Sequence, residues 1–121
     1  MRLRAGQRLR RNNDFRAVRE QGRRVDCGAF LLTWRRRPAD EAPGASRVGV
    51  VASRAAVGNA VSRNRAKRRL REIFRQNQTL VPPGLDLVLT ARAALLQLDL
   101  IEASRRFVQA CGKLPLPASH V

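Results

Sequence analysis

The chain predicts one α+β domain with elements in the order α-β-β-α-β-α, and three features predict it. The stretch Gly58–Arg75 carries apolar side chains at helical period, long enough for several turns. Two compact runs rich in Val and Leu, at Arg47–Ser53 and Leu85–Ala91, are too short for helices and read as strands. A length of 121 residues has room for a single core, one that buries roughly two-thirds of the unfolded surface.

Residues 1–11 hold Arg2, Arg4, Arg8, Arg10 and Arg11 and read as a basic arm, mobile until it meets a partner. Asn12 or Asn13 can cap a short first helix with Asp14 in its first turn. Phe15 and Val18 form that helix's inward face, and Gly22 is a natural stop. Cys27 to Arg35 then reads as a strand. Ala29, Leu31 and Thr33 occupy one face and Phe30, Leu32 and Trp34 the other, so both faces call for cover. Arg35, Arg36 and Arg37 precede a breaker-rich loop, Pro38 to Gly44, whose acids Asp40 and Glu41 make it the stretch least suited to a polyanion.

After the strand Arg47–Ser53, the segment from Ser53 to Gly58 leads into the long helix, with Asn59 as its cap. Gly58 suits a plain turn as well as backbone contact with a phosphate. Pro82, Pro83 and Gly84 end that helix, and Leu85 to Ala91 is apolar enough for an interior strand. Asp99 and Glu102 stand at capping-box spacing before a last helix. Its expected stripe is Leu100, Ala103, Phe107, Cys111 and Leu114, with Arg105 and Arg106 outward. Pro115 and Pro117 mark a loose tail over 115–121. The body is therefore residues 12–114, without repeat or internal linker.

The long helix is the most informative element. At 100° per residue, Ala66, Leu70, Ile73 and Phe74 form one stripe. Asn64, Lys67, Arg68, Arg71 and Arg75 gather away from it, with Arg65 and Arg69 on a flank. Seven cations fall among the thirteen residues from Arg63 to Arg75, and only Glu72 counters them. Cations packed this densely repel one another, so the face is built for a polyanion rather than for solvent alone.

Composition agrees. The formal net charge is +16, carried almost wholly by arginine, whose planar fork grips phosphate bidentately. The chain has no long apolar run and no signal-peptide pattern at its basic start, so a cytoplasmic protein without membrane contact is expected. Cys27 and Cys111 lack metal-ligand spacing and read as buried small hydrophobes. His120, the single histidine, lies in the tail.

These residues carry a family resemblance. Arg63-Asn64-Arg65, Lys67-Arg68 and Arg71-Glu72 follow Arg47-Val48-Gly49-Val50-Val51 and Gly58-Asn59-Ala60-Val61. Arg8 to Phe15 precedes them and Pro83 to Val88 comes after. This ordered set, spread over residues 8–112, resembles the bacterial ribonuclease P protein, the basic subunit of the ribozyme that trims the 5′ leader from precursor tRNA. The resemblance implies a fourth short strand and a mixed four-stranded sheet. It also implies a left-handed βαβ crossover, as in the second domain of a ribosomal protein, against the usual right-handed rule.

The resemblance further implies that Arg63, Asn64, Arg65, Lys67, Arg68, Arg71 and Arg75 contact the catalytic RNA. It implies a groove for the single-stranded leader at Phe15, Arg16, Arg19 and Thr33, with further RNA contacts at Arg8, Arg10, Arg11 and Arg54. Phe15 suits a stacking platform and a core position equally. Relatives often carry aromatics where this chain has Arg19 and Thr33, which shifts the groove from stacking toward charge. Some relatives are also one residue shorter before the long helix, with two lysines where Arg54 and Ala55 fall.

Catalytic chemistry in the polypeptide is not expected. The nine acids are scattered, the one histidine is in the tail, and neither a Ser/His/Asp set nor a phosphate-binding loop with Lys-Ser/Thr occurs. In the resembled family, RNA and the magnesium it binds perform the hydrolysis, so the expected partners are catalytic RNA and precursor tRNA, with no small-molecule substrate. Composition alone also fits a ribosomal RNA-binding protein or a basic DNA-binding module, though no helix-turn-helix spacing appears.

Overall fold

The computed structural model describes residues 7–9, 11–38 and 44–115. Arg2, Arg4, Arg10, Asp40, Glu41, Pro117 and His120 lie outside them. Helix α1 (Asn12–Gln21) is followed by strands β1 (Arg23–Asp26), β2 (Phe30–Arg36) and β3 (Arg47–Val51). A single turn α2 (Arg54–Val57) precedes the long helix α3 (Ala60–Asn77), then come β4 (Leu85–Ala91) and α4 (Leu100–Cys111). The sheet order is β1-β2-β4-β3, with β3 parallel to β4 and the other pairs antiparallel. The result is a small α+β domain with a mixed four-stranded sheet, as expected.

The fourth strand is β1. Periodicity missed it because its four residues bury only Val25. It also shortens the strand expected at Cys27–Arg35, which begins at Phe30 instead. Gly28, at φ 81°, turns the chain there, and its N–H donates to Asp26 Oδ1 at 2.7 Å. One further expectation at α1 needs correction, the cap, whereas Gly22 does end the helix. Arg11 occupies the cap position without a side-chain bond, and Asn12 and Asn13 already lie in the helix. Gly22 ends the helix at φ −83°, outside the left-handed region. Its small size is what matters, since a Cβ there would sit 2.3 Å from the Val18 carbonyl oxygen and 2.7 Å from that of Trp34.

Alternation along the sheet creates two faces. Phe30, Leu32, Val48, Leu85, Leu87 and Leu89 form the main core with the stripe expected on α3: Ala66, Leu70, Ile73 and Phe74, all fully buried. From α4 come Ala103, Phe107 and Ala110. Ala110 takes the central place expected of Cys111, because it falls seven residues after Ala103 on the same face. Phe74 and Phe107 meet edge to face, centroids 6.4 Å apart. Asn59 and Asp99 cap α3 and α4 through Oδ1, accepting the N–H of Ser62 and Glu102. Cys27 and Cys111 are free thiols, and burial pushes both pKa values up to about 11.

The opposite face carries α1, whose Val18 packs on Val88 together with Leu9. Leu9 was expected in a mobile arm, yet it is buried, and its N–H donates to the Val48 carbonyl at 2.9 Å. Asp86 also points to this face and is wholly buried. Arg47 binds it through Nε and Nη2 at 2.8 Å each, and Arg37 and Arg35 bind it at 2.9 and 3.3 Å. Burial pushes the Asp86 pKa up, but hydrogen bonds from Arg47 and Arg37 outweigh that and hold it below the ordinary carboxylate value. Since Arg35 and Arg47 pair with Asp86 across the sheet, this cluster also locks the register of β2, β4 and β3.

Candidate nucleic-acid interface

The α3 stripe fixes where every other side chain of that helix points. With Ala66 and Leu70 on the core, Asn64, Arg65 and Arg68 project outward and are exposed. Lys67 and Arg71 fall on the flank next to β3 and line the depressions between α3 and α1. Arg69, on the other flank, donates to the carbonyls of Leu98 and Leu95 at 2.6 and 3.2 Å and clamps α3 to the segment before α4. Arg63, near the helix start, is half-buried, and its Nε is buried with no partner.

Charge neutralisation on α3 is confined to one place. Glu72 accepts from Arg75 Nε and Nη2 at 2.7 and 2.5 Å and from Gln76 at 2.9 Å. The Arg75 hydrogen bond is the main reason its pKa falls to about 2. Of the α3 cations expected to meet RNA, Arg75 is therefore already paired. Arg65, Lys67, Arg68 and Arg71 have no ion pair or hydrogen bond among the described residues.

Between α1 and α3 runs a groove of about 710 Å³. Phe15, Arg16 and Arg19 of α1 form one wall, Val50, Val51 and Ala52 the floor, and Lys67 the facing wall. Glu20 and Asn12 complete the rim, so one carboxylate faces three cations. The Phe15 ring lies half-buried across β3 directly over Gly49. It is both a core contact and a groove wall. A half-exposed ring flanked by guanidinium groups and an ammonium can engage the bases and backbone of a single-stranded nucleic acid.

Phe15, Arg16 and Arg19, expected at one groove, stand together along it. Thr33 is expected at the same groove, but it is only 4 % exposed. Thr33 faces α1 opposite Val88, with its Cγ2 against Gly22, so the C-terminal end of α1 covers it. Lys67 and Arg71 were grouped with the outward face and instead belong to the groove flank. Arg11 stands at the start of α1, Arg54 is exposed at the start of α2, and Arg8 lies beside Val48. Gly49 was missed as a groove determinant. Its place in an apolar strand was visible, but its contact with Phe15 joins residues far apart in sequence.

Comparison with known proteins gives a consistent result. The family model described as Ribonuclease P matches residues 3–115. A ribonuclease P protein component from Syntrophobacter fumaroxidans is 35% identical over 108 residues, covering 88% of this chain and 87% of the relative. One from Streptomyces avermitilis is 43% identical over 89 residues, covering 69% and 72%. The solved RNase P protein from Thermotoga maritima superposes with a TM-score of 0.76 at 28% identity, covering 89% of this chain and 97% of that one.

Proposed function

The chain belongs to the ribonuclease P protein family, and we propose that it divides its surface between two RNAs. The outward face of α3, with Asn64, Arg65 and Arg68, takes the catalytic RNA, with Arg63 at its edge. The groove of Phe15, Arg16, Arg19 and Lys67 takes the 5′ leader of precursor tRNA. The observation that carries this reading is the junction of the two surfaces on one helix. The cations of α3 are unpaired on its outward face and again on the flank that walls the groove. An RNA on the outer face and a single strand in the groove would lie side by side, so the protein can hold substrate against catalyst.

Hydrolysis in this reading belongs to the RNA and to magnesium bound mainly by it. Among the described residues, every carboxylate except Glu20 is engaged by an arginine or a helix start. Among the described residues this leaves no free carboxylate pair to hold a metal or act as acid and base. Among the described residues, no helix is long and apolar enough to cross a membrane. Contacts at Arg8, Arg11 and Arg54 extend the positive surface.

Binding measurements test the division. Holoenzyme assembled from this protein and a bacterial ribonuclease P RNA should bind precursor tRNA more tightly than mature tRNA. That preference should shrink when the leader is cut back nucleotide by nucleotide. A protein that strengthens both tRNAs equally would contradict the leader groove.

A further inference from the structure

Phe30, Phe74 and Phe107 are fully buried in the core, and Phe15 walls the groove. Trp34, the single tryptophan, does neither. It packs against the main core from β2 but stays half-buried. Its indole N–H has no hydrogen-bond partner among the described residues and is open to solvent. A tryptophan taken into a core normally finds a partner for that N–H. Here the outer part of the ring and its donor are both left for something outside the fold.

The strand register adds a cation. Arg23 of β1 stands directly opposite Trp34, which brings their Cβ atoms to about 4.5–5.5 Å. Arg23 is exposed and forms no ion pair or hydrogen bond among the described residues. Arg36, two residues along β2 on the same face, is exposed as well. Val25, two residues after Arg23, borders a depression of about 470 Å³ between β1 and α4 that is also lined by Arg105, Arg106 and Lys113. The two acids there are engaged. Arg92 binds Asp26 at 2.7 Å, and Arg105 and Arg106 hold Glu102 at 3.4 and 3.7 Å. The Lys113 ammonium has no partner among the described residues.

This patch and the leader groove lie at opposite edges of the sheet. The groove floor is β3 and the patch is on β1 and β2, three strand spacings of about 4.8 Å away in the order β1-β2-β4-β3. Trp34 also faces the side of α3 and α4, whereas Phe15 covers the side of α1. A ring with a spare donor, beside an unneutralised guanidinium, suits an unpaired nucleotide. The base lies on the ring, a base acceptor takes the indole N–H, and the phosphate meets the arginine fork. The end of α1 joins the two places. Gly22 closes that groove wall against the Trp34 carbonyl and hands the chain directly to Arg23. A strand leaving the groove along α1 therefore arrives at Arg23 and, around the sheet edge, at Trp34.

We propose that Trp34 and Arg23 form a second single-strand site, filled by leader nucleotides upstream of those held in the groove. A long leader is then gripped at two places. The assignment to the leader rests on the function proposed above; the affinity for an unpaired strand does not.

Because Trp34 is the single tryptophan, its emission reports on this site. The full chain is titrated with a single-stranded oligouridylate too short to span both places, and separately with an RNA duplex of equal length. The single strand should quench the emission and shield the ring from acrylamide, and the duplex, whose base faces are stacked away, should do neither. Arg23→Gln should raise the strand concentration needed for half-quenching about fivefold or more, and Phe15→Leu should leave it unchanged. Emission indifferent to the strand, or quenching that responds to Phe15→Leu and not to Arg23→Gln, would overturn the proposal, whatever the protein does with tRNA.

The second measurement uses the holoenzyme and precursors whose leaders are lengthened stepwise. Trp34 emission should hold its value with mature tRNA while the leader fills only the groove, and fall once the leader reaches β1. Trp34→Leu, which keeps an apolar side chain against the core, should abolish the affinity gained from those added nucleotides, about fivefold or more. If assembly with the catalytic RNA alone already quenches Trp34, the site belongs to that RNA and the assignment to the leader fails. If precursor is preferred over mature tRNA but no leader length alters the emission, the groove stands and the second site is refuted.

Discussion

Gly49→Ala is the substitution most diagnostic of the groove. Gly49 lies in β3 with no positive φ, so alanine fits its backbone and the effect is steric. A Cβ there would stand 2.5 Å from Cε1 and Cζ of Phe15 and 3.2 Å from Leu9 Cβ. Carbon atoms rest at about 3.5–4.0 Å, so the ring must retreat by roughly 1 Å. Overpacking a tight contact costs about 1–3 kcal/mol. Phe15 is half-buried and can swing toward the open groove, which places the cost near about 1 kcal/mol, or a melting shift of about 4 °C. The functional effect is larger, because the displaced ring leaves the place where a base would stack. One stacked base contributes about 1–3 kcal/mol, so precursor tRNA affinity should fall at least about fivefold while mature tRNA affinity holds. Adding Phe15→Leu should restore stability but not the preference for precursor. An unchanged precursor-to-mature ratio in Gly49→Ala, with the melting shift present, would refute the stacking role of Phe15.

Four further predictions concern other parts of the surface and core. Arg68→Ala should weaken assembly with catalytic RNA and make its log–log salt dependence shallower by about 0.7–0.9, with the fold intact. As a control, Leu70→Ala, at a fully buried position, should cost roughly 2–5 kcal/mol by chemical denaturation and impair binding only through unfolding. Arg19→Ala should weaken precursor binding preferentially by about 1 kcal/mol, and Arg19→Phe should recover part of it with a flatter salt response, both read by titration at several salt concentrations. Asp86, with a folded pKa below its unfolded value of about 3.9, contributes stability that is fully present above that pH and lost as pH falls through the folded value. Asp86→Asn, which strands three arginines, should cost about 3–5 kcal/mol at neutral pH and flatten the acid limb of the stability curve, measured by denaturant titration from pH 2 to 7.

What could be read from the sequence was local and periodic. The four core residues of α3, the span Leu85–Ala91 and the caps Asn59 and Asp99 all follow from spacing within one element, and the structure has each where it was expected. The features that escaped depend on which elements meet. β1 is too short to show a period and exists because β2 pairs with it. Thr33 alternates correctly along its strand, but only the position of α1 decides that its face is covered. Lys67 and Arg71 share a helix face with Arg68 on a wheel, and only the approach of β3 and α1 separates them from it. Asp86 was visible as an acid inside an apolar run, whereas its three arginines come from two strands and a loop.

Reconstitution tests the account most directly. The protein is mixed with a bacterial ribonuclease P RNA at magnesium too low for the RNA to work alone, and cleavage of a leader-bearing precursor tRNA is followed. The account predicts that cleavage at the 5′ end of the mature sequence is restored, and that Arg68→Ala restores it only at higher protein concentration. Absence of any stimulation by the folded protein would contradict it.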